Sequence, residues 1–175
     1  IGTGANTFRK DSDTVVSHDA IAIGTNATGK GDASVAIGLD AKAPGQSSIA
    51  IGQNSETKTA TSIAIGAGAL SNNDLEVAIG SNAKAKGGQT LALGSDSRAD
   101  GQAALAIGRQ ANSTGSSAVS LGNEASALAP STVAIGKTSS ATNNNAVAVG
   151  VQAKTTGRNG VGVGAYSEAT ASRST

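Results

Sequence analysis

Few residues in this chain have the chemistry for catalysis or ligation. His18 is the only histidine, and it stands near Asp11, Asp13 and Asp19. An imidazole among carboxylates could hold a small cation or form an acid–base pair. A solvated polar loop is the plainer reading, since no nucleophile motif accompanies the histidine. The run Gly24-Thr25-Asn26-Ala27-Thr28-Gly29-Lys30 has most of a phosphate-cradling loop but fails at Gly31, where Ser or Thr should meet the metal. The Gly-Gly-x-Gly-x-Asp pattern of calcium-binding rolls is missing; Gly87-Gly88 is only part of it. Asn26-Ala27-Thr28 and Asn112-Ser113-Thr114 fit the glycosylation pattern, which Thr-rich turns produce by chance. Zero Cys excludes a disulfide framework and a thiolate metal site. The net charge of +1 comes from interspersed opposite signs, so nothing points to a polyanionic partner. Nucleic-acid binding lacks a basic stripe and aromatic stacking platforms. We therefore expect no enzymatic activity, no cofactor and no metal.

Both glycines of the phosphate-loop look-alike fall on columns of a repeat. A figure of large aliphatic, small residue, large aliphatic and glycine occurs first as Ile21-Ala22-Ile23-Gly24 and last as Val161-Gly162-Val163-Gly164. Eleven copies follow one another at a spacing of 14 residues without a slip. A fixed period of this length marks a solenoid, in which one supersecondary unit stacks on itself.

The columns give the local structure. Three positions after each glycine the residue is always Ala or Ser, from Ala27 and Ala41 to Ser167. Four after it is often charged, and five after it is small again. This alternation predicts a strand with one buried face. Seven after it, Gly or Asn holds eight of eleven copies, from Gly31 to Gly157. Those residues best tolerate a positive φ, so a second turn is expected there. Each coil then has two strands and two turns, and the stack has two facing parallel sheets. A helical reading fails on glycine density and on the period-two columns.

In the first strand we expect the two large aliphatics of each copy to point inward. The residue between them would then face outward, forming a smooth stripe of Ala22, Ala36, Ala50, Ala64, Ala78, Ala92, Ala106, Ser120, Ala134, Ala148 and Gly162. Such stripes mark contact surfaces, so this column is expected to be the interface of a close-packed homo-oligomer.

Residues 20–175 are expected to form an eleven-coil head. Residues 1–19 are read as the remnant of a preceding coil plus a loop insertion of eight residues within Phe8 to Asp19. With Gly at 24 of 175, aromatics at 1% and Trp absent, the interior must be built from Ile, Val, Leu and Ala in thin layers. The absence of Met leads us to expect a piece of a longer chain.

Ser34-Val35-Ala36-Ile37-Gly38 with Ala41 and Gly45, and Ser48-Ile49-Ala50-Ile51-Gly52 with Ser55, resemble the repeat of the YadA-like heads of trimeric autotransporter adhesins. That repeat is written around Asn-Ser-Val-Ala-Ile-Gly, and the resemblance runs from Ala20 to about Ser174. It implies an all-β, left-handed parallel β-roll, a two-stranded β-solenoid assembled as a side-by-side homotrimer. It also implies display on the bacterial cell surface, anchored in the outer membrane by a stalk and a C-terminal barrel. Some YadA-like heads bind collagen, an activity linked to the Asn-Ser pair ahead of the figure. Here that pair is never complete: Asn145 is followed by Ala146 and Asn159 by Gly160.

The functional expectation is a non-enzymatic adhesin head that binds host extracellular matrix, cell-surface receptors or other bacterial cells through repeated exposed faces. The candidate contact residues are Asp40, Lys42, Glu56, Lys84, Arg98, Glu124 and Lys154, each of which also serves as an ordinary solubilising charge. The alternatives are a structural spacer that projects another binding domain and, more remotely, an ice-binding type of solenoid. Ice binding needs a flat Thr ladder, and Lys30, Pro44, Asp100 and Leu128 interrupt the column of Thr114, Thr142, Thr156 and Thr170.

Overall fold

The structure, a computed structural model, describes Thr3, Ala5 and residues 19–174. Over this span the chain forms short strands in alternation. The first coil holds β1 (Ile21–Ile23) and β2 (Thr28–Gly29), and the second holds β3 (Val35–Ile37) and β4 (Lys42–Ala43). The last holds β21 (Val161–Val163) and β22 (Glu168–Ala169). Odd-numbered strands form one 11-stranded sheet in chain order and even-numbered strands form a second. All pairings are parallel, and each residue pairs with its counterpart one coil on: Ala22 with Ala36, Ala148 with Gly162, Lys84 with Arg98. The fold is a parallel β-solenoid, a rod roughly 50 Å long at the usual strand spacing of about 4.8 Å.

The second strand behaves as its alternation requires. Ala27, Ala41, Ala43, Ala83 and Ala85 are fully buried, while Lys42 and Lys84 between them are exposed. The first strand is the reverse of the expectation. Ala36, Ala50, Ala64, Ala78, Ala92, Ala106, Ser120, Ala134 and Ala148 are fully buried inside the protomer, Gly162 is buried, and Ala22 in the end coil is half-buried. The flanking aliphatics face outward instead. The proposed Ala22–Gly162 seam therefore cannot be a contact surface between chains.

The physical reason is the width of the interior. Two sheets joined by such tight turns leave a gap that takes mostly small side chains, from Gly and Ala up to Thr. A Cβ on Gly162 would already meet Thr155 Oγ1 at 2.8 Å and Ser167 Oγ at 3.3 Å. The interior is filled by four columns of Ala, Ser, Thr and Gly, two from each side of the coil, with Glu76 the one exception among the described residues. In the Ala22–Gly162 column, which holds nothing larger than Ser120, an Ile or Val would overpack the interior.

The turns have two different requirements. The glycine that ends each first strand has φ between +124° and +139° in every coil, a region other residues rarely enter. At Gly38 an added Cβ would also lie 2.6 Å from Gly52 O. In the second turn the glycines seven residues later do not have positive φ, contrary to the expectation. The positive φ falls two residues further on, at Ala33, Ser47, Thr61 and their counterparts. Gly101 is needed for space: a Cβ there would lie 1.9 Å from Gly115 O.

Serines close the turns from inside. Ser55, Ser97 and Ser139 each donate to the carbonyl three residues back, at 2.8–3.0 Å. Asn26 N donates to Thr3 O at 2.8 Å, the place that Thr25 O fills for Asp40 N, so Thr3 lies one coil below Asn26. The insertion expected within Phe8 to Asp19 lies outside the described residues except for Asp19, as does His18.

Candidate binding faces

The phosphate-loop look-alike is part of the wall. Thr28–Gly29 is strand β2, paired with β4, and no helix follows to offer its N-terminus to an anion. Among the described residues no group of His, Asp and Glu could hold a metal ion. What the rod offers is two long outer faces and the turns between them.

The outer face of the even-stranded sheet carries five of the seven candidate contact residues. Lys42 on β4, Lys84 on β10 (Lys84–Ala85), Arg98 on β12 (Arg98–Ala99) and Lys154 on β20 (Lys154–Thr155) are exposed, and Glu56 on β6 (Glu56–Thr57) is half-buried. Asp40 and Glu124 do not lie on this face. They sit at the first turn with φ of 56° and 58°. There Asp40 Oδ1 accepts from Asn26 Nδ2 of the neighbouring coil at 3.0 Å, and Glu124 pairs with Arg109 at 2.9 Å. On the sheet face, Arg98 pairs with Asp100, and Lys154 with Glu168 at 3.5 Å. The Arg109–Glu124 and Lys154–Glu168 pairs are solvated, so each adds little to stability.

The outer face of the odd-stranded sheet is apolar along its whole length. Each coil presents two large aliphatics to it, such as Val35 and Ile37, Ile49 and Ile51, and Leu105 and Ile107. Most are half-buried by their neighbours; Leu121 is 42% exposed and Val163 at the end is 68% exposed. A continuous stripe of this size far exceeds the scattered apolar exposure of ordinary surfaces.

One coil departs from the pattern. Glu76 stands in an interior column that other coils fill with Ser, Thr, Ala or Gly, and it is fully buried. Its Oε2 accepts from the backbone N–H groups of Asn72 (2.7 Å) and Asn73 (2.9 Å). Its Oε1 accepts from Gly88 N at 2.6 Å and Asn73 Nδ2 at 3.3 Å, and that amide also donates to Lys86 O at 2.6 Å. A buried carboxylate held by several donors satisfies the rule that buried polar groups must be bonded. Glu76 thus ties two successive second turns together. The sequence signal was a lone Glu in a column of small residues.

The family described as YadA head domain repeat (2 copies) matches residues 17–41, 43–69, 77–97, 99–125 and 127–153, more than half of the chain. The chain belongs to the YadA head repeat family. The family match passes over residues 70–76, the stretch that ends in Glu76. Among solved structures, the collagen-binding domain of the Yersinia adhesin YadA matches at 26% identity with a TM-score of 0.44. That match covers 86% of this chain and 65% of the Yersinia chain, so this YadA-like head spans somewhat less than two thirds of its length. No curated protein sequence matches the chain.

Proposed function

We propose that this chain is the non-enzymatic adhesive head of a bacterial surface adhesin, in which three copies pack side by side in a left-handed roll. The apolar face of the odd-stranded sheet turns inward between protomers. The even-stranded sheet and the turns face outward and contact host matrix proteins or cell-surface receptors. The carrying observation is the division of one rod into an apolar face and a polar face, within a chain of the YadA head repeat family. Side-by-side packing covers aliphatic surface that water otherwise wets. It replaces the Ala22–Gly162 column as the interface with the residues on either side of it. Display on the cell surface through an outer-membrane anchor belongs to the same reading.

Binding through repeated faces favours many weak contacts acting together, because a rod of coils on three chains raises the effective concentration of each site. Collagen is the first ligand to test, since the matching Yersinia domain is described as collagen-binding. The test is surface plasmon resonance of the purified chain over immobilised collagen, other matrix proteins and host cells, with mass by analytical ultracentrifugation. Saturable binding by a species of three times 16.7 kDa is expected. No saturable binding to any surface overturns the adhesive reading and leaves a spacer. A stable monomer overturns the assembly.

A further inference from the structure

Coiling sorts the charges in a way their order along the chain conceals. On the outer face of the even-stranded sheet two columns point outward, the first residue of each two-residue strand and the residue just after the strand. Over the first six coils these columns hold Lys30, Lys42, Lys58, Lys84, Lys86 and Arg98 against only two carboxylates, Glu56 and Asp100. Arg98 is tied to Asp100. Among the described residues none of the five lysines forms an ion pair, and Lys42, Lys58 and Lys84 are exposed. Over the last five coils the same columns hold only Lys154 and Glu168 as charges, and those two pair with each other.

The remaining acids of the first six coils lie elsewhere. Asp40 and Asp96 sit in the first turns and Asp32 and Asp74 in the second turns, at the two edges of the sheet, while Glu76 is buried. The basic residues therefore make an axial track about 24 Å long at the strand spacing, bordered on both sides by carboxylates. A polyanion laid along the rod meets a cation on nearly every coil. One laid across the rod meets the bordering acids.

We propose that this track binds a linear sulfated polysaccharide, lying parallel to the rod axis. The proposal deepens the adhesive reading and rests on it, because the track is part of the outward face assigned there to ligand contact. A sulfated sugar polymer fits better than a nucleic acid. The track carries no aromatic side chain on which bases could stack. Five of its six cations are lysines, which act as point charges and not as the bidentate forks that favour phosphate. Neutral donors and acceptors beside the cations, Thr28, Asn72 and Asn112, suit sugar hydroxyls.

The test is binding of the whole chain to immobilised heparin at about 150 mM salt, where exposed charges further apart than a Debye length are screened. Chemically desulfated heparin and duplex DNA serve as competitors. Saturable binding is expected, with at least a tenfold weaker affinity in Lys58→Gln/Lys84→Gln/Lys86→Gln. A Lys137→Gln/Arg158→Gln control, which removes cations from the turns, should bind as the parent does. Circular dichroism melting checks that both variants fold. The inference is overturned if heparin is not bound, if the triple variant binds like the parent, or if desulfated heparin or DNA competes as well as heparin. Collagen binding without heparin binding removes this inference and leaves the adhesive reading standing. Absence of binding to heparin, collagen, the other matrix proteins and host cells removes both.

Discussion

Single residues show where this roll is under strain. One residue in each turn adopts the left-handed conformation, and many of these positions hold residues poorly suited to it. Thr61 has φ of 52° and Thr138 of 54°, although β-branched residues resist that region. Asn is better suited, and Asn145 and Asn159 occupy the position equivalent to Thr61 with a bond of 2.8 Å between their side chains. Thr61→Asn is exposed and should stabilise the fold by about 0.5–1 kcal/mol, read as a higher denaturant midpoint with an unchanged slope. Glu76 works in the opposite direction. Glu76→Ala strands the backbone N–H groups of Asn73 and Gly88 inside the wall and should cost about 2–3 kcal/mol. Hydrogen exchange should then rise first at Asn73 and Gly88; uniform exchange along the rod would show that Glu76 is not the local clamp.

At the level of the coil, stability depends on neighbours stacking without a gap, as in other one-dimensional repeats. The glycine ending each first strand combines a positive φ with a close approach to the next coil. At Gly94 an added Cβ would lie 2.5 Å from Gly108 O. Gly94→Ala should cost at least about 2 kcal/mol, the sum of backbone strain and overpacking. Because Gly94 is mid-rod, the two halves should then melt separately; a single unchanged transition would contradict this account. The interior small residues are equally constrained. Ala78→Leu puts a branched side chain into a gap sized for a methyl, and the coil should fail to close, seen as loss of β signal and not merely as a change of mass. The second strand was legible in full, because its outward column is charged and its inward columns are small. The first strand was not. Its alternation separates two faces but carries no sign of which is inside, and size misled, since large aliphatics usually fill cores.

Across the whole molecule, the two faces of the rod have separate consequences. The apolar face is the proposed interface between protomers. Ile79→Asp with Ile107→Asp places two charges on it and should lower the mass from three protomers to one at micromolar concentration, with the coil structure retained. Unchanged mass would show that the aliphatic stripe is not the contact. The polar face carries the cation track, which linear reading missed. Residues 14 apart in sequence become neighbours about 4.8 Å apart, so charges interspersed along the chain become grouped.

The chain's period, its two strands and two turns per coil and its small-residue columns follow from the order of amino acids, because each coil repeats the same local rule. The inward direction of the first strand, and with it the identity of the apolar face, was decided only by folding. That choice depends on how much room two tight turns leave between sheets, and room is a property of the closed coil, not of any one strand. The grouping of lysines on one face has the same origin: stacking, not sequence order, sets which charges are neighbours.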